Sequence, residues 1–143
     1  MEYVERIEDG DMLLSIILRN NFNKNGIEFL TPETFSQQLG YMKREKGYLI
    51  KPHVHQPVER KIFFTFETLF IKSGCVRVDF YSNEQLYIKS IVINEGDVIL
   101  LAHGAHGFYM LEESEIVEVK QGPYAGESDK TRFEPVSEDE ITF

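Results

Sequence analysis

Four histidines and a few carboxylates carry most of the chemistry open to this 143-residue chain. His53 and His55 stand two apart in GYLIKPHVH. In an extended strand alternate residues share a face, so the two imidazoles project side by side, a natural half of a metal site. His103 and His106 flank a glycine-rich turn in ILLAHGAHGFYML. A spacing of three puts them on different sides of an extended chain, so one of the two is expected to join the first pair. All four histidines fall in these two clusters. That raises a shared metal site above the bland alternative of a histidine bonded in a core or titrating on the surface. Glu67 lies in KIFFTFETLFIK, a stretch mostly apolar on both faces, where an ionised carboxylate needs compensation. A metal ion would supply it; so would a wet barrel mouth or a Lys or Arg partner. Glu59, beside Pro57, Arg60 and Lys61, reads as a solvated turn residue. Cys75 has no activating partner in the sequence, reads as packing, and is the one cysteine, so no internal disulfide forms.

Short strands must position these groups. YVERIE and MLLSIILR are expected as two strands around the turn Asp9-Gly10-Asp11. MLLSIILR is apolar on both faces, as for a strand covered on both sides by its own chain or by a partner subunit. IEFL follows a polar loop. Thr31-Pro32-Glu33 has a hydroxyl N-cap, Pro at the first position and an acid in the first turn, which predicts one short helix ending near Gln38 to Gly40. GYLIKPHVH and KIFFTFETLFIK read as strands, and CVRVDFY is expected to form a hairpin with the latter across Ser73-Gly74. In CVRVDFY, Val76, Val78 and Phe80 share one face, and Arg77, Asp79 and Tyr81 the other. YIKSIVI, VILLA, GFYML and EIVEVK complete the set, and Gly122-Pro123-Tyr124 reads as a turn closing the sheet edge. The pattern predicts an all-β antiparallel sandwich or barrel, one domain over residues 1–133, with residues 134–143 a loosely held acidic tail.

The charge balance narrows the partners. A net charge of −9 argues against a phosphate backbone or an anionic membrane as partner, since both need clustered Lys and Arg. No long apolar run and no basic-then-apolar N-terminus is present, so a cytoplasmic protein with no membrane and no nucleic-acid partner is expected. The apolar N-terminal strands make a homodimer the default.

The motifs resemble those of the cupin superfamily. Gly47, His53-Val54-His55, Glu67 and Gly74 follow the order of its first motif, with seven residues from Glu67 to Gly74; Gly96 through His106 follows its second. The resemblance implies an antiparallel jelly-roll barrel holding one divalent transition ion (Fe, Mn, Ni, Co or Zn) on His53, His55, Glu67 and His106, with Glu59 and His103 as rival ligands. Glu118-Val119-Lys120-Gln121-Gly122-Pro123-Tyr124 is similar to the ending of the WbuC-like group, small bacterial cupins of polysaccharide and O-antigen gene clusters. That implies a small carbohydrate-type or other hydroxy or carbonyl ligand, with isomerisation or epimerisation as the reaction if the protein is an enzyme. The alternatives are a non-catalytic sensor and an iron-dependent dioxygenase. Tyr48, Lys51, Arg60, Arg77, Tyr81 and Tyr109 are the candidates to line the site mouth.

Overall fold

Ten strands form where β-branched and aromatic residues run between turn-forming glycines, and a computed structural model describes all of residues 1–143. The chain divides into two compact units: Met1–Phe22 with Phe64–Phe143, and Asn23–Phe63. In the first unit β1 (Val4–Asp9), β2 (Met12–Leu18), β5 (Glu67–Ser73), β8 (Val98–Leu101) and β10 (Glu115–Lys120) make a five-stranded sheet in the order β1-β2-β8-β5-β10. A second sheet places β6 (Cys75–Tyr81) between β7 (Tyr87–Asn94) and β9 (Ala105–Met110). Every pairing is antiparallel. The sheets face one another across a core that joins Ile17, Leu69, Ile71, Ile99 and Leu101 of one to Val76, Val78, Phe80 and Ile93 of the other. Each such buried side chain contributes about 1.5–3 kcal/mol. The sheets do not close into a barrel; β1, β10, β7 and β9 each keep a free edge. Leu14, Ile16 and Ile17 of β2 are buried within the single chain, so its two apolar faces need no partner subunit.

The expected hairpin between KIFFTFETLFIK and CVRVDFY does not form. β5 pairs with β8 and β10, whereas β6 pairs with β7 and β9, so Gly74 is a corner where the chain crosses between sheets. Its φ is +95°, and a Cβ there would sit 2.5 Å from the Glu113 carbonyl and 2.7 Å from the Ser114 Cα. The left-handed backbone and the pressed loop both demand glycine. Gly74→Ala is expected to lower stability by roughly 2–4 kcal/mol, read as a shift in the urea midpoint. A shift under half a kcal/mol would show that the corner relaxes freely.

The second unit holds the hairpin of β3 (Gly26–Phe29) and β4 (Gly40–Lys43). The short helix expected from Thr31 to about Gln38 is absent. The Thr31 hydroxyl, instead of capping a helix, donates to Gln38 Oε1 at 2.9 Å and accepts from the Leu39 N–H at 3.2 Å. The Gln38 amide donates to the Pro32 and Phe35 carbonyls, both at 2.9 Å. These bonds fold the segment into a tight loop, and side-chain bonds take the place of helical ones. GYLIKPHVH is not a strand either, and KIFFTFETLFIK becomes one only from Glu67. Pro52 and Pro57 lack N–H donors, and no strand of the chain pairs with this stretch.

The acidic C-terminus is tied down. The outer face of β6 carries Arg77 and Asp79, both buried. Arg77 donates through Nε (2.8 Å) and a terminal nitrogen (3.0 Å) to Asp79, and through both terminal nitrogens to Glu138, in a 3₁₀ turn at Glu138–Glu140. The Ser90 N–H donates to the Thr142 carbonyl at 2.7 Å, and the Val136 N–H to the Tyr81 hydroxyl at 3.0 Å. Residues 133–143 thus form a strap rather than a loose tail. Arg77 holds the Glu138 carboxyl below the usual glutamate value. A depressed carboxyl adds stability that is complete above its unfolded pKa and is lost as pH falls through the folded one. The strap should therefore stay docked through mildly acidic pH and release below the ordinary glutamate range, followed by the Thr142 amide resonance. Release above that range would contradict the pairing. No helix of the structure is long and apolar enough to cross a membrane.

Candidate functional site

Glu67 opens β5 on the face that carries Leu69 and Ile71 into the core. His106 lies on β9 directly opposite Phe80 of β6, so it too faces inward. The two belong to opposing sheets and meet at the end of the sandwich, with His106 Nε2 3.5 Å from Glu67 Oε2 and side chains 27% and 13% exposed. His106 holds the Glu67 carboxyl below its usual range, against burial that pushes it up; Glu118 and the charge of Lys120 add to the lowering. Glu67 is therefore ionised at neutral pH. Gly104 sets the approach of the β8–β9 loop to this pair: with φ +75°, a Cβ would stand 2.6 Å from the Tyr81 carbonyl.

The pair opens into a cleft of about 670 Å³ within the first unit, a size suited to a small metabolite. Lys120, on β10 opposite Glu67, lines it together with Glu118, whose carboxylate lies 3.9 Å from the Lys120 ammonium. The other wall comes from the segment after β10: Asp129 accepts from the Thr65 hydroxyl at 3.0 Å, Lys130 stands beside it, and Arg132 is paired with Glu127. Tyr81 and Phe133, 5.0 Å apart edge to face, give an apolar side. Donors, acceptors and an aromatic wall in one hollow suit a ligand with several hydroxyl, carbonyl or carboxylate groups.

Of the residues expected at the site, Glu67, His106 and Tyr81 come together here. His103 packs edge-on against the Phe64 and Phe66 rings, each centroid 5.2 Å away. His53 and His55 lie in the second unit, their rings edge to face at 5.2 Å, with His53 Nδ1 2.9 Å from the Lys51 carbonyl. Glu59, Lys51 and Arg60 are exposed there, and Tyr48 lies under the Arg44 guanidinium at 4.4 Å. Arg77 belongs to the buried ion pair, with the Tyr109 ring 4.9 Å from it, and not to the mouth. No group of three or more His, Cys, Asp or Glu side chains stands close enough to hold a metal ion. Lys120, Lys130, Arg132 and Glu118 are not among the residues the sequence places at the site. The alternation of EIVEVK could have flagged Glu118 and Lys120 as sharing the face of Glu67; the loop residues give no such signal.

The fold and the cleft define an antiparallel two-sheet β protein with an acid–imidazole pair set in a polar hollow. No protein-family model, no curated protein and no solved structure matches the chain.

Proposed function

We propose that the cleft binds a small hydroxy- or carbonyl-bearing metabolite of carbohydrate type, gripped by Glu67 and His106. The observation that supports this is an ionised Glu67 held against His106 inside a cleft of metabolite size. The carboxylate accepts from ligand hydroxyls and the imidazole donates to or accepts from a neighbouring oxygen. Beside a hydroxycarbonyl compound the same pair can remove a proton next to the carbonyl and return it elsewhere, the chemistry of sugar isomerases and epimerases. A non-catalytic sensor would use the same contacts without turnover.

A second reading is a cupin-type metal centre, with an iron-dependent oxygenase as its oxidative variant. It is favoured by the motif resemblance and by the meeting of two of its four expected ligands, Glu67 and His106. One experiment separates the readings: protein as purified is analysed for bound metal, then incubated with sugars and nucleotide-sugars while product and thermal shift are followed. A new isomer supports the enzyme, a shift without product supports the sensor, and no shift with any hydroxylated compound sinks the proposed site.

A further inference from the structure

Residues 42–65 form an unbroken run of exposed positions, although they carry much of the chain's exposed apolar bulk. Leu49 is 75% exposed, Val54 78% and Phe63 85%, with Tyr48, Ile50 and Val58 all above half. So concentrated an apolar surface marks an interaction site. Residues 44–63 form neither helix nor strand, and between Glu45 and Phe63 the one backbone hydrogen bond is local, from the Tyr48 N–H to the Glu45 carbonyl at 3.1 Å. No strand of the chain pairs with it.

Its charge is also opposite to that of the rest of the protein. Residues 44–63 hold Arg44, Lys46, Lys51, Arg60 and Lys61 against Glu45 and Glu59, a net +3. The remaining residues hold 10 Lys and Arg against 22 Asp and Glu, a net −12. A basic, apolar, unpaired arm thus belongs to an acidic body. That body has a matching free edge: β9 has a partner only on its β6 side, it exposes Phe108, Tyr109 and Met110, and exposed Glu112 and Glu113 follow it.

We infer that the arm is exchanged between two copies of this chain, each laying it as an added strand on the free β9 edge of the other. Strand addition satisfies the unpaired backbone of both partners. The prolines set its limits. Pro52 and Pro57 are five residues apart, so their missing donors fall on opposite sides of a continuous strand. Pairing that turns Pro52 to solvent runs through Gln56 and stops at Pro57, as an edge strand allows. Within that span His53 and His55 share a face, one strand spacing, about 4.8 Å, from the strand that bears His106. The arm then brings His53 and His55 beside the strand that carries its partner's side of the cleft. This last consequence rests on the proposed function; the exchange does not.

The test uses the full chain. Unlabelled and ¹⁵N-labelled protein are mixed, unfolded in urea and refolded together, sized by sedimentation equilibrium, and treated with a zero-length amine–carboxyl cross-linker. The expected result is a dimer in which Lys51 and Lys61 join to Glu112, Glu113 or Glu115, with about half of these cross-links joining labelled to unlabelled peptides. A monomer at tens of micromolar, or arm cross-links that never mix labels, would overturn the exchange. The triple variant Lys51→Glu, Arg60→Glu, Lys61→Glu alters exposed side chains alone and should weaken the dimer about tenfold or more with an unchanged circular dichroism spectrum. An unaltered dimer constant in that variant would also count against the arm as the interface.

Discussion

Asp79→Ala should lower the urea midpoint by about 1–2 M, a loss of roughly 3 kcal/mol. Asp79 is buried at the centre of β6, where it accepts two hydrogen bonds from Arg77 and one from the Ser90 hydroxyl. Its removal leaves a buried guanidinium with Glu138 as its remaining anionic partner, and Glu138 is largely solvated. Loss of one member of a buried pair costs about 3–5 kcal/mol because the other charge stays desolvated. The low end applies here, since Arg77 keeps half of its contacts. The double variant Arg77→Met, Asp79→Leu removes both charges at similar volume and should recover most of the loss. If the single and double variants are equally unstable, packing rather than charge holds the outer face of β6. The strap supplies a second readout. With Asp79 gone, Arg77 is less firmly held and the Thr142 amide, bonded to Tyr87, should exchange faster.

Much of the fold was legible because it rests on local signals. The run from Met12 to Leu18, apolar on both faces, and the alternating run from Cys75 to Tyr81 are strands as read, and the faces assigned to Val76, Val78, Phe80, Arg77 and Asp79 hold. What failed depends on contacts distant in sequence. Gly74 carries the signature of a hairpin turn, yet Ser114, forty residues on, presses it into a corner between sheets. Thr31-Pro32-Glu33 offers helix-start chemistry, but Gln38 supplies a competing side-chain partner. The acidic tail reads as solvated because nothing local reveals Arg77, 61 positions earlier, as the partner of Glu138. At the site, Glu67 and His106 could be named from motif spacing. Lys130 and Arg132 could not, since a loop has no period to place them. The stretch around His53 and His55 has the alternation of a strand, but no strand pairs with it, and periodicity alone cannot supply that partner.

A mixture of two defective chains should regain what neither has alone, if the metal reading and the arm exchange both hold. On the metal reading His53→Ala and His106→Ala each abolish stoichiometric binding of a divalent transition ion, whereas Glu59→Ala, a change at an exposed residue, leaves it intact. Loss of the ion in Glu59→Ala and its retention in Glu67→Ala would mean that the acid ligand has been misassigned. With exchanged arms, a dimer of one His53→Ala chain and one His106→Ala chain contains one cleft with its own His106 and an intact arm from its partner. The other cleft lacks both histidines. After statistical refolding half of the dimers are mixed, so the mixture should hold about a quarter of an ion per chain, against none for either parent. If the ligands came from a single chain, no combination would restore a site. A conservative change at Glu67 probes the metabolite without metal. Glu67→Gln keeps the shape of the side chain but removes its charge, and a hydrogen bond to a charged group contributes about 1.5–3 kcal/mol. Affinity for a sugar that shifts the melting point of the wild type should fall roughly 10- to 100-fold by calorimetry. An unchanged affinity would move the ligand away from Glu67.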